Sequence, residues 1–99
     1  MRTIMKFTFS DVAAANKGFK DGSLQNSLKS VMDKLKPEAV YFYTNSGYRS
    51  GFMVFDMKDS SELPVIAEPL FINFNASVEF SPIMNAEDLQ KGSEEFLKA

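Results

Sequence analysis

The sequence predicts an α+β domain of the split βαβ type, in which four antiparallel strands form a sheet with helices on one face and a further helix at the C-terminus. Three observations lead there. Four segments alternate large apolar residues with others at period two, and the stretches around them carry apolar residues at helical spacing. Turn and cap residues separate nearly every pair of segments. The resulting order is β-α-β-β-α-β followed by α.

The first strand is Arg2 to Phe9, where Thr3, Met5, Phe7 and Phe9 point one way and Ile4, Lys6 and Thr8 the other. Ser10-Asp11 supplies an N-cap for a short helical run, Val12 to Phe19. Asp21-Gly22-Ser23 interrupts it, with Gly22 suited to the position just past a helix end and Ser23 to a new N-cap. The clearest helix follows: Leu24, Leu28, Val31, Met32 and Leu35 form one apolar stripe, lysines gather toward its C-terminal half, and Pro37 closes it.

Ala39 to Thr44 and Tyr48 to Met57 read as the arms of a hairpin around Asn45-Ser46-Gly47. In the first arm Val40 and Phe42 oppose Tyr41 and Tyr43; in the second, Phe52 and Val54 oppose Met53, Phe55 and Met57. Both faces of this hairpin are apolar, which a sheet with one wet side would not require. Asp59-Ser60-Ser61 opens a helix through Phe71, in which Pro69 removes a hydrogen bond to the Val65 carbonyl and predicts a kink. Ser77 to Met84 is the last strand, with Val78 and Phe80 facing one way and Ser77, Glu79 and Ser81 the other. Asn85 caps a final helix, Ala86 to Leu97, whose apolar residues Leu89, Phe96 and Leu97 are too sparse for a full core face.

This is the element order of ferredoxin-like folds, with sheet order 4-1-3-2 and both crossover helices on one face. The opposite face is then uncovered although the hairpin places large apolar side chains there. Burying one such side chain is worth roughly 1.5–3 kcal/mol, so two copies packing sheet on sheet as a two-fold homodimer would resolve the exposure. With Met5, Phe7 and Phe9 on the helix side, Lys6 and Glu79 share the uncovered side. That face is apolar on one half and polar on the other, and the polar half becomes an expected pocket wall.

Composition narrows the function. The 99 residues fit a single domain, 1–99, with 44% hydrophobic and 24% charged residues, which is globular composition. A net charge of −2 with mixed signs argues against a nucleic-acid partner. Without Cys, disulfides, thiolate metal sites and cysteine nucleophiles are excluded; without His, the commonest general base and metal ligand is missing. No cofactor is expected. Neither a signal-like apolar run after Met1-Arg2-Thr3-Ile4-Met5-Lys6 nor a membrane-length span occurs, so the expectation is a cytoplasmic protein with no membrane partner.

The run Ser46-Gly47-Tyr48-Arg49-Ser50-Gly51-Phe52-Met53-Val54-Phe55-Asp56, then Leu63 to Phe71 and Asn75 to Glu79, resembles a family of small uncharacterised proteins in the dimeric α+β-barrel superfamily. The likeness spans about Pro37 to Leu89. It implies a dimeric α+β barrel, and the superfamily includes cofactor-free monooxygenases, haem-degrading enzymes, isomerases and ligand binders. The iron-holding His of haem-degrading relatives and the Asp-His pair of others have no counterpart here, because the chain has no His.

Candidate ligand-binding residues follow from chemistry. Arg49 can grip a carboxylate through two parallel hydrogen bonds, and Glu68 adjoins the predicted kink; a surface or structural ion pair is the plainer account of both. Tyr41, Tyr43 and Tyr48 can offer hydroxyls to a mostly apolar cavity, or serve as interface packing. Asn75 can orient a substrate or make a local turn, and the turn is favoured. Glu79 is a possible proton acceptor if buried, against a cross-strand pairing with Lys6. Asp56, Asp59 and Glu62 lack the glycine and ligand ladder of a calcium loop, and Gly47 and Gly51 do not make a phosphate cradle. Two functions stay open: a homodimeric protein binding a small, partly apolar molecule between sheet and helices, and a cofactor-independent enzyme such as an isomerase or monooxygenase using Glu68 or Glu79 as base.

Overall fold

The computed structural model describes all 99 residues, Met1–Ala99. In chain order the elements are β1 (Arg2–Thr8), α1 (Val12–Asp21), α2 (Ser23–Leu35), β2 (Ala39–Asn45), β3 (Tyr48–Asp56), α3 (Glu62–Phe74), β4 (Ser77–Pro82) and α4 (Ala86–Lys98). One antiparallel sheet runs β2-β3-β1-β4, the expected order read from its other edge. The fold is the ferredoxin-like βαββαβ with an added C-terminal helix.

Local chemistry explains the boundaries. The Asp11 carboxylate accepts the Ala14 amide at 3.1 Å and starts α1. Gly22, at φ +84°, ends α1 in the left-handed region that a glycine enters without a Cβ clash. Ser23 is consequently the first residue of α2 rather than its cap. The hairpin turn is tighter than the three-residue spacer suggests: only Ser46 and Gly47 lie between the strands, both at positive φ (53° and 82°), which matches the right-handed strand twist. At α4, Asn85 and Asp88 cap each other reciprocally, side chain to main chain.

α3 does not break at Pro69. It runs as one helix from Glu62 to Phe74, and the carbonyl freed by the proline belongs to Val65, an exposed residue where water can serve it. Asn75 closes the helix in the left-handed conformation, its amide bonded to the Phe71 carbonyl.

Register divides the sheet into two unlike faces. Thr3, Met5 and Phe7 of β1 pair with Phe55, Met53 and Gly51 of β3 and with Pro82, Phe80 and Val78 of β4. On this side Met5, Phe7, Met53 and Phe55 join Phe9, Leu24, Val31, Ile66, Leu70 and Phe74 in the core, with Val78 and Phe80 half-buried at its edge. The opposite, open face carries Ile4, Lys6 and Thr8 beside Ser81, Glu79 and Ser77, a polar half. Beyond them Phe52 pairs with Tyr41, Val54 with Ala39 and Ser50 with Tyr43, an aromatic half. The predicted split between halves is therefore present, with the Phe52 ring meeting Tyr41 at a tilt, 5.5 Å between centres, and Tyr43 edge to face at 6.3 Å.

α4 stands apart. Every residue from Met84 to Ala99 is exposed, and Asp88 reaches back to Arg2 at 3.9 Å. No helix is long and apolar enough to cross a membrane.

Candidate functional site

A hollow of about 230 Å³ opens between the helix-side face of the sheet and α2, bordered by Phe7, Phe9, Leu24, Leu28, Phe42 and Arg49 together with Thr44, Tyr43 and Ser50. Its position follows from the sequence. β2 is an edge strand, and the helix layer stops short of it, so Phe42 is 57% exposed even though it points toward the helices. In register, Gly51 lies between Phe7 on one side and Phe42 on the other. Two large rings share the space over one missing side chain, meeting edge to face at 6.2 Å. A Cβ at Gly51 would stand 2.5 Å from Phe7 Cζ, so glycine is what lets the Phe7 ring lie down as the pocket floor. Phe9 continues that floor, edge to face with Phe7 at 5.7 Å and with Phe74 at 5.9 Å.

Arg49 stands at the rim. Its Nη1 donates to Asn16 Oδ1 of α1 at 2.9 Å, and its guanidinium carbon sits 5.3 Å from the centre of the Phe19 ring. These contacts aim the group without neutralising it. The chain has two arginines, and they differ in this respect. Arg2 is bonded to Glu38 at 2.5 Å and faces Asp88, and the Glu38 hydrogen bond and charge hold its guanidinium above its ordinary value. Arg49 takes part in no ion pair. A guanidinium has five donors, and one of them is committed to an uncharged amide. The rest are available beside an apolar floor, an arrangement that suits a small molecule with an apolar body and an anionic end.

The other candidate residues are not gathered here. Tyr41 is on the open face, and so is the ring of Tyr43; Tyr43 and Ser50 therefore border the hollow through their main chain. Tyr48 is half-buried at the start of β3, in register with Asn45 on that same open face. Asn75 has the structural role: its Nδ2 donates to Asp11 Oδ2 at 2.8 Å, tying the end of α3 to the start of α1. The Ala14 amide first, and Asn75 second, hold the Asp11 carboxyl below the usual carboxylate range. Glu68 is exposed on α3, facing away from the helix contacts made by Ile66, Ala67 and Leu70. Glu79 is exposed on the open face, opposite Lys6 in register but not in ion-pair contact with it. Neither carboxylate borders this hollow.

A wider cleft of about 510 Å³ lies among α1, α2 and the end of α3, lined mostly by polar or small residues such as Lys17, Asp21, Ser27 and Asn73. It lacks an apolar floor, and its Asp21 is already held by Ser23, whose side-chain and main-chain hydrogen bonds keep that carboxyl low. No group of three or more acidic side chains converges as a metal site. Sequence reasoning picked out Arg49 but missed Phe42, Leu24, Leu28 and the positioning pair Asn16 and Phe19. A usable signal was present in Gly51, a glycine inside a strand rich in large apolar residues.

No protein-family model and no curated protein matches this chain.

Proposed function

We propose that this chain is a homodimeric binding protein that holds a small monocarboxylate with an apolar body, its head at Arg49 and its body against Phe7, Phe9, Leu24, Leu28 and Phe42. The observation that carries this reading is an arginine with no acidic partner, held in place at the rim of an apolar hollow. Size limits the occupant. Drug-sized pockets run to roughly 300–1,000 Å³, whereas a dry cavity of about 150 Å³ accommodates benzene. A hollow of about 230 Å³ therefore suits a single ring or a short branched chain bearing one carboxylate. Self-association through the open face supplies the dimer, in keeping with the dimeric α+β barrels that the hairpin and α3 resemble. The enzyme reading is the weaker one, since Glu68 and Glu79, its two bases, lie in solvent away from the hollow.

Calorimetric titration with benzoate, phenylacetate and 4-methylpentanoate, each beside its neutral amide, tests the proposal. The acids are expected to bind saturably and the amides more weakly. A charge-assisted hydrogen bond is worth about 1.5–3 kcal/mol, so Arg49→Gln should weaken acid binding by about 10- to 150-fold and leave amide binding nearly unchanged. Equal affinity of wild type and Arg49→Gln for the acids, or no saturable binding of any of them, would refute it.

A further inference from the structure

Two apolar surfaces in this chain lack a cover, and we infer that they cover each other between two copies: the apolar stripe of α4 packs on the aromatic half of the partner's open sheet face. This rests on the homodimer reading above and specifies how the dimer is made.

On α4, Leu89, Gly92, Ser93, Phe96 and Leu97, joined by Met84 just before the helix, border one shallow depression and so share one face. Phe96 is 78% and Leu97 79% exposed, although both are apolar. The opposite side of the helix carries Glu87, Lys91, Glu94, Glu95 and Lys98. Isolated helices shorter than roughly 12–15 residues are marginal in water, and α4 has 13 residues with a glycine among them. It needs a surface to lie on.

Its own sheet does not offer one close by. α4 leaves from the end of β4, where Ile83 bonds to the Arg2 carbonyl and Asp88 faces Arg2. The open-face surface nearest that corner is the polar half, with Lys6, Glu79, Ser77 and Ser81. The aromatic half lies on β3 and β2, beyond that polar half, and α4 lies on neither, since every residue from Met84 onward is exposed. A two-fold related copy removes the difficulty, because each helix then reaches the aromatic half of the other chain and both surfaces are covered at once.

The dimensions agree with a second copy as the occupant. A compact monomer of 11.1 kDa exposes about 5,650 Å², whereas this chain exposes 6675 Å². The excess of about 1,000 Å² is comparable to the roughly 800 Å² that each partner buries in an interface of standard size. The radius of gyration is 15.8 Å against about 12.6 Å for a compact chain of this length, and the long axis extends 55 Å. The chain has the shape of a body with an arm.

The test uses the full chain in two measurements. Sedimentation velocity at micromolar concentration is expected to give twice the 11.1 kDa chain mass. The double variant Phe96→Asp/Leu97→Asp, with its circular dichroism checked, is expected to raise the dimer dissociation constant by about 100-fold or more, as the loss of two buried apolar side chains implies. The second measurement exploits the absence of cysteine. A nitroxide on Lys91→Cys, opposite the apolar stripe, is mixed with ¹⁵N-labelled wild-type chain. Broadening of the Tyr41, Tyr43 and Phe52 amides in the labelled chain supports the inference. A dimer without that broadening, or broadening only when label and isotope share one chain, overturns it and leaves the homodimer intact. A monomer overturns both.

Discussion

Replacing Gly51 by alanine probes the packing that creates the pocket. Ordinarily a Gly→Ala change at a position without positive φ stabilises by about 0.4–1 kcal/mol, by restricting the unfolded chain. Gly51 has no positive φ, so that gain is available. Against it, the new Cβ would meet Phe7 Cζ at 2.5 Å, Phe7 Cε2 at 2.9 Å and the Tyr41 carbonyl oxygen at 2.9 Å. The Phe7 ring is 1% exposed and held by Phe9 and Phe42, and the Tyr41 oxygen is main chain, so neither yields easily. Overpacking of this kind costs about 1–3 kcal/mol. The expected net effect is a loss of about 1–2 kcal/mol. At about 4–8 °C per kcal/mol for a domain of this size, the melting temperature should fall by roughly 4–16 °C. Urea unfolding at one fixed protein concentration measures it, because the proposed self-association would make apparent stability concentration-dependent. The cycle with Phe7→Leu assigns the cause: in that background the alanine should cost less by at least about 0.5 kcal/mol. A Gly51→Ala protein as stable as wild type, or a coupling of zero, would refute the packing argument.

Two further outcomes follow from the same structure. Gly18 sits in α1, where alanine would normally gain about 1 kcal/mol of helix propensity; here its Cβ would lie 2.7 Å from Cε1 of the buried Phe74, so Gly18→Ala should lower the urea midpoint, and a raised midpoint would contradict the close approach of α1 and α3. Asp11, Asp21 and Asp56 all have carboxyl values below the ordinary one, through the Ala14 amide, Ser23 and the N-terminal ammonium respectively. A lowered folded value means the unfolded chain binds more protons, so this stabilisation is complete above about pH 4 to 5 and is lost as pH falls through the lower folded values. Urea midpoints flat from neutral pH to about 5 and falling below about 4 are expected, with a shallower fall in Asp11→Asn; an unchanged slope would exclude Asp11 as a contributor.

Much of the fold was legible because its signals are local. The Met5-Phe7-Phe9 alternation, the Leu24 to Leu35 stripe and the Asn85 cap each encode an element within a few residues. The unlike halves of the open face could also be anticipated, since Lys6 and Glu79 fall together once strands one and four are neighbours. What escaped depends on distant contacts. Glu68 drew notice only as the neighbour of Pro69; α3 is continuous through that proline, and the Glu68 side chain is exposed and borders no part of the hollow at Arg49. Asn16 and Phe19 carry no mark of a binding role until α1 is laid beside β3 and both meet Arg49. The favoured turn at Asn75 matches its left-handed backbone at the end of α3, but nothing in the local sequence foretells the bond from its side chain to Asp11, 64 residues away. Tyr41 and Tyr43 were grouped with Arg49 by chemistry alone, whereas the hairpin register puts them on the other side of the sheet.

Helices α1 to α3 shield one face of the sheet, and the aromatic half of the other face and the apolar side of α4 lie exposed; the proposed dimer covers both with a second chain. Sedimentation equilibrium of the intact protein from about 1 to 100 µM tests it most directly. The account predicts a species of twice 11.1 kDa across that range. A single ideal monomer throughout, with Phe52 and Phe96 left in water, would contradict it.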